Sequence, residues 1–241
     1  MENFAVVRLK SNITHPNQIF LSPRKTRKYL FVIVVCLFTA STIGIYAKEV
    51  WDIGIINRLF NFDKEANIPT LFSSLLLFIS SALLFIIYRT SSSKRFYWII
   101  LSLIFLFLCI DETAQIHEIF NNRKSPFEII NRTQIKHLWV LPYFMLVLLV
   151  GLFFKKFLFT LPTKTRNLFI LSGIIYVTGA IGLEVLQEIL KIYNPDINIV
   201  ILKLLYSLEE ACEMVGISIF IYALLNYIAP TNLSLHIDHT K

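Results

Sequence analysis

Charge is what this chain most lacks. Of its 241 residues only 16% are Asp, Glu, Lys or Arg, where a soluble domain carries roughly 25%. That shortfall argues against a water-facing domain. Cysteine is scarce as well. Cys36, Cys109 and Cys212 are odd in number and form no CxxC, so neither a disulfide framework nor a zinc ribbon is indicated. All three sit in apolar runs and read as small buried hydrophobes. No GxGxxG and no Walker pattern occurs, which leaves dinucleotide and nucleotide-loop chemistry without a motif. No internal repeat or low-complexity tract divides the chain, so one domain is expected.

Apolar sequence is what the chain has in quantity. It is 56% hydrophobic, with 21 Phe, and its mean hydropathy is +0.64. Long unbroken apolar runs make lipid the expected solvent. A helix needs about 20 apolar residues to cross the hydrocarbon core. Six segments meet or approach that length: Tyr29–Ala47, Pro69–Tyr88, Phe96–Ile110, Leu138–Phe154, Leu168–Leu186 and Ile199–Ile228. The expected fold is therefore all-α, an integral membrane bundle of six transmembrane helices. The basic leader before the first span is long and no A-x-A site follows it, so that span reads as a signal anchor and not a cleaved signal.

Lys and Arg in the connections set the expected orientation. Fourteen of the 23 basic residues fall on one side, among them Arg24, Lys25, Arg27, Lys28, Arg89, Lys94, Arg95, Lys155, Lys156, Lys164 and Arg166; only Glu2 and Asp238 oppose them there. Both termini are thus expected in the cytoplasm. The chain divides into a basic segment, 1–28, a membrane domain, 29–228, and a tail, 229–241. The net charge of +7 then faces anionic headgroups, and the partner is the lipid bilayer, with no nucleic acid. Oligomeric state has no signal. After the first span, "WDIGIINRLFNF" sets Trp51, Ile55, Ile56, Leu59 and Phe60 on one helical face. It suits a short helix in the interface and equally an apolar loop packed on the bundle.

Against this apolar background, eight of the 16 acids gather at one end of three spans. The third span ends in "LCIDETAQIHEIF", with Asp111, Glu112, His117 and Glu118. If that helix continues, Asp111, Gln115 and Glu118 share a face, since seven residues make nearly two turns. Glu184, Gln187 and Glu188 form a similar stripe on the fifth span, and Glu209, Glu210 and Glu213 interrupt the sixth. Solvated helix ends explain Asp111–Glu112 and Glu184–Glu188 about as well as a site does. They do not explain Glu209, which lies about 15 Å along its helix from Ile199 by the helical rise. An ionised acid at the middle of the bilayer costs about 2.5–3.5 kcal/mol. Protonation, a bound cation, or pairing with Lys191 and Lys203 would each relieve that cost.

Three kinds of function could use such a cluster. In the first, Asp111, His117, Glu184, Glu188, Glu209 and Glu213 hold a divalent metal (Zn, Mn, Fe or Mg), and Glu112, Glu118 or Glu210 acts as base in hydrolysing a lipid-like substrate. The Glu-x-x-His pairs of di-iron bundles and the His-Glu-x-x-His of zinc proteases are absent, however. In the second, membrane-embedded Glu residues carry protons or cations in a transporter or channel. In the third, the polar groups only fix helix register or bind a partner.

The pattern Asp111-Glu112-x4-His117-Glu118, followed by Glu184 and by Glu209-Glu210-x2-Glu213, resembles a group of uncharacterised bacterial multi-pass membrane proteins over residues 30 to 228. The resemblance implies a bacterial inner (cell) membrane and no particular activity. Alkaline ceramidase-like hydrolases differ, because their His-x3-His pair and one span are missing here.

Overall fold

The computed structural model describes residues 22–62, 64, 66–116 and 140–229. These are helical, with no strand among the described residues. In chain order the helices are α1 (Pro23–Trp51), α2 (Ile55–Phe60), α3 (Ile68–Thr90), α4 (Arg95–Ala114), α5 (Val140–Leu158), α6 (Thr163–Val177), a π-helical turn (Thr178–Leu183), α7 (Glu184–Tyr193) and α8 (Ile199–Ile228). Five helical stretches are long and apolar enough to cross a membrane: α1, α3, α4, the run Thr163–Tyr193, and α8. His117, Glu118 and the start of the expected fourth span lie outside the described residues.

Local chemistry sets the helix ends. Pro23 opens α1, where its missing N–H costs nothing. Asn67 caps α3 by accepting from Thr70 N at 3.1 Å, and Asn198 caps α8 by accepting from Val200 N at 2.8 Å. α4 stops at Ala114, because Gln115 takes a left-handed conformation (φ 56°) and its N–H returns to Asp111 O. Gln115 thus falls beyond the end of α4 and not on the expected stripe with Asp111. The expected interfacial helix is also shorter than the sequence suggested. Asp52 is left-handed (φ 57°) and parts Trp51 from α2. Ile55, Ile56 and Leu59 remain exposed, while a Cβ on Gly44 of α1 would lie 2.9 Å from Asn57 N. The six-residue helix thus turns one face outward and lies against α1 with the other.

Lipid tails are as apolar as leucine, so packing in a membrane comes from small residues and hydrogen bonds, not from excluding water. α3 shows how. Ser73, Ser74, Ser80 and Ser81 are buried and recur at a spacing of seven, which places them on one face. Ser81 Oγ donates to Ser102 O at 2.8 Å and Ser102 Oγ donates to Ser81 O at 2.9 Å. Ser74 meets Thr113 at 3.1 Å. These bonds close α3 against α4. α8 is the axis of the bundle and packs on α1, α3, α6, α7 and the π turn. A Cβ on Gly216 would lie 2.9 Å from Ser172 O, and one on Gly179 2.8 Å from Glu209 O. These two glycines let the α6 run lie directly on α8. Met214, Ile217 and Ile221 of α8 fill the centre with Leu76 and Leu77 of α3.

The two ends of the bundle differ. At one end Arg27 lies 4.6 Å from the Tyr222 ring, Lys164 Nζ donates to Asn226 Oδ1 at 3.1 Å, and Trp98 packs on Tyr227. At the other end Glu49 pairs with Lys203, and the acids of α4, α7 and α8 gather.

Candidate functional site

A chamber of about 870 Å³ lies among α4, α5, the α6–π–α7 run and α8. That size is typical of a small-molecule pocket. Asp111, Glu112, Glu184, Glu209, Glu210 and Glu213 all line it. Toward the basic end its wall becomes apolar, with Phe105, Phe154, Phe157, Phe169 and Phe220. From Glu209 to Phe220 is eleven residues of one helix, or about 16 Å by the helical rise. The chamber is thus long, acidic at one end and aromatic at the other. Among the described residues no Lys, Arg or His lines it.

Each helix delivers its acids for a local reason. Asp111 and Glu112 occupy the last turn of α4, just before the left-handed Gln115. Glu184 opens α7 directly after the π turn. A π turn takes in an extra residue and rotates the helix beyond it, and such bulges are frequent at functional sites. Asp111, Glu184 and Glu209 are buried.

Hydrogen bonds tie the acidic end together. Gln187 Nε2 donates to Glu209 Oε2 at 2.5 Å. Glu184, also buried, lines the chamber together with Glu209. Tyr176 and Glu213 line the same chamber. The nearby lysines do not serve the chamber. Lys191 Nζ donates to Glu188 and to Tyr206, each at 2.7 Å, and Lys203 pairs with Glu49 of α1. Lys203, one of the two lysines available to pair with the acids, thus reaches across to another helix.

Six of the nine candidate site residues therefore share one wall. Glu188 does not line the chamber; it turns to Lys191. His117 and Glu118 lie outside the described residues. Among the described residues no group of three or more His, Cys, Asp or Glu side chains is disposed to hold a metal ion; His117, a member of the expected ligand set with Asp111, Glu184, Glu188, Glu209 and Glu213, is not among those residues. Tyr176 and Tyr206, which also line the chamber, were missed from sequence. The only hint of Tyr176 was its place two turns before Glu184 in an otherwise apolar run.

An all-helical bundle with five helices long and apolar enough to cross a membrane is the make-up of a multi-pass membrane protein. The chain belongs to the family described as a domain of unknown function (DUF8692), whose model matches residues 29–227. No curated protein and no solved structure matches it.

Proposed function

We propose that the protein binds a lipid-like amphiphile with a positively charged head group, the tail in the aromatic part of the chamber and the head among the carboxyl groups. One observation carries this: acidic and apolar walls are continuous within a single chamber of about 870 Å³. The aromatic end offers nothing to a free metal ion or a proton, and the acidic end disfavours a fatty acid. A molecule that satisfies both ends has a hydrocarbon tail and a cationic head, which carboxylates hold by charge-assisted hydrogen bonds. With α5 as the sixth span and the basic connections in the cytoplasm, the acidic end faces outward and the head lies toward the outer leaflet.

The test is direct. A spin-labelled long-chain alkylamine, and the alcohol and fatty acid of the same chain length, are added to the protein in bilayers, and the motionally restricted signal is read. The amine is expected to bind saturably, above the alcohol and the acid. Glu209→Gln and Glu213→Gln each lower its affinity by about tenfold, as losing a hydrogen bond to a charged group does. Equal binding of all three probes, or preference for the fatty acid, overturns the reading.

The burial of Glu184 and Glu209 on the chamber wall favours one second reading, proton movement through the chamber. Proton flux in liposomes that disappears in Glu209→Gln, with no amine bound by the parent protein, would replace the first reading with this one.

A further inference from the structure

The chamber is sealed on one side and loose on another. On the α8 side, Gly179 and Gly216 bring the α6 run against α8 so closely that a Cβ at either position would lie within 3.0 Å of backbone atoms. On the α5 side the picture reverses. Gly151 of α5 and Gly173 of α6 both line the chamber, and a Cβ at either would meet no atom of the described residues within 4 Å. α5 and α6 are joined by a short connection, yet among the described residues they form no extended close backbone packing of the kind that joins α3 to α4 or α6 to α8.

What holds α5 is a set of rings near its C-terminal end. Phe157 stacks on Tyr97 of α4 at 4.9 Å and meets Trp98 edge-on at 4.9 Å, and Phe154 lies 5.9 Å from Tyr97. Beyond those rings, toward the acidic end, Leu146, Val147, Val150 and Gly151 face the chamber. Among the described residues the ring contacts of α5 therefore lie at the aromatic end. The surface around the gap is apolar: Leu152 of α5 and Ile174 of α6 are exposed. In a membrane that surface is bathed in hydrocarbon and not in water.

We infer that the ligand enters the chamber sideways from the bilayer, through the gap between α5 and α6 bordered by Gly151 and Gly173. The inference rests on the amphiphile reading and extends it to a route. A tail moving from lipid into an aromatic-lined slot never leaves an apolar medium. The head moves only from the interface to the acids. Entry from water would instead strip the whole tail from its bilayer before it reached the slot, at about 0.8 kcal/mol for each CH₂ exposed.

The experiment places Phe at both Gly151 and Gly173, where the open space accepts a ring and loss of Gly favours the helix. Leu149→Phe with Leu171→Phe is the control: the same rings, on lipid-facing positions that do not line the chamber. Proteoliposomes carry the spin-labelled alkylamine, and two-site exchange between its mobile and restricted signals gives the entry rate. The expected result is an entry rate about tenfold lower in the Gly151→Phe/Gly173→Phe protein, within the range that single interfaces show for association rates, and unchanged in the control. An unchanged rate in the glycine variant, or equal slowing in both, overturns the route while leaving the amphiphile reading intact. Absence of any restricted amine signal in the parent protein overturns both.

Discussion

Gln187 Nε2 donates to Glu209 Oε2 at 2.5 Å, while Gln187 Oε1, equally buried, has no partner among the described residues. The amide is a strut between α7 and α8 that is only half satisfied. Two effects then oppose each other in Gln187→Leu. The variant loses an interhelical hydrogen bond, which in membranes averages about 0.6 kcal/mol. It also removes an orphaned acceptor, whose burial costs about 1–3 kcal/mol. Leu keeps the volume, so its unfolding free energy in detergent is expected within about 1 kcal/mol of the parent. Gln187→Ala has the same polar loss and leaves a void as well, and is expected to cost about 2–3 kcal/mol. Denaturant titration followed by circular dichroism separates the two; a Leu variant as damaged as the Ala variant would mean that the hydrogen bond dominates.

The glycines sort by what a methyl group would meet. Gly179→Ala and Gly216→Ala push Cβ within 3.0 Å of backbone on the facing helix, so α6 must move off α8, at about 1–3 kcal/mol each. Gly151→Ala and Gly173→Ala meet open space and are expected to stabilise their helices by about 0.5–1 kcal/mol. Melting curves of the four single variants in one detergent check both signs together. Close helix packing thus falls to Gly179 and Gly216.

Much of this molecule is legible in the order of its residues, and the failures have physical causes. Helix α8 runs from Ile199 to Ile228, the bounds its apolar run suggests, because Asn198 caps it and nothing polar enough to break it intervenes. Glu209, Glu210 and Glu213 are too deep to be a helix end, and they do line a cavity. α4 was harder. Asp111 through Glu118 continues a plausible helical pattern, and no glycine or proline announces the stop that a left-handed Gln115 makes. Glu184 and Glu188 lie four residues apart on α7, as the pattern suggests, but Glu188 pairs with Lys191 and does not line the chamber; a 3.6-residue pattern places side chains on a face and carries no sign of which neighbour each one takes. Lys203 looked available to the acids, and it pairs with Glu49 across the bundle, a contact between residues far apart in the chain.

Glu188 and Glu209 therefore make a discriminating pair. Both are acids near the same end of the bundle, but only Glu209 lines the chamber. Glu188→Gln removes the charge facing Lys191 Nζ at 2.7 Å. That pair is partly exposed, so the loss of stability is expected at roughly 0–1 kcal/mol, with alkylamine binding unchanged. Glu209→Gln is expected to lower amine affinity by about tenfold. Titration of the spin-labelled amine on the two variants reads the difference, and equal losses would mean that general negative charge, not the chamber, attracts the amine.

Orientation decides which leaflet the chamber serves, and it can be read from two connections. Ser92 lies between α3 and α4, beside Arg89, Lys94 and Arg95. Asp196 lies between α7 and α8, beside the acidic end. Lys and Arg in short connections are retained in the cytoplasm, and acids count for little in that choice. The clustering of Arg27 and Lys164 on Tyr222 adds that the basic groups of separate connections meet at one end of the bundle, so one leaflet receives them together. A single cysteine is placed at Ser92 or at Asp196 in a protein whose Cys36, Cys109 and Cys212 are replaced by serine or alanine. An impermeant maleimide added to intact cells is expected to label the Asp196→Cys protein and spare the Ser92→Cys protein until the membrane is opened. The reverse pattern would turn the acidic end to the cytoplasm, and the amphiphile would then have to come from the inner leaflet, where anionic lipids compete for the same cationic head.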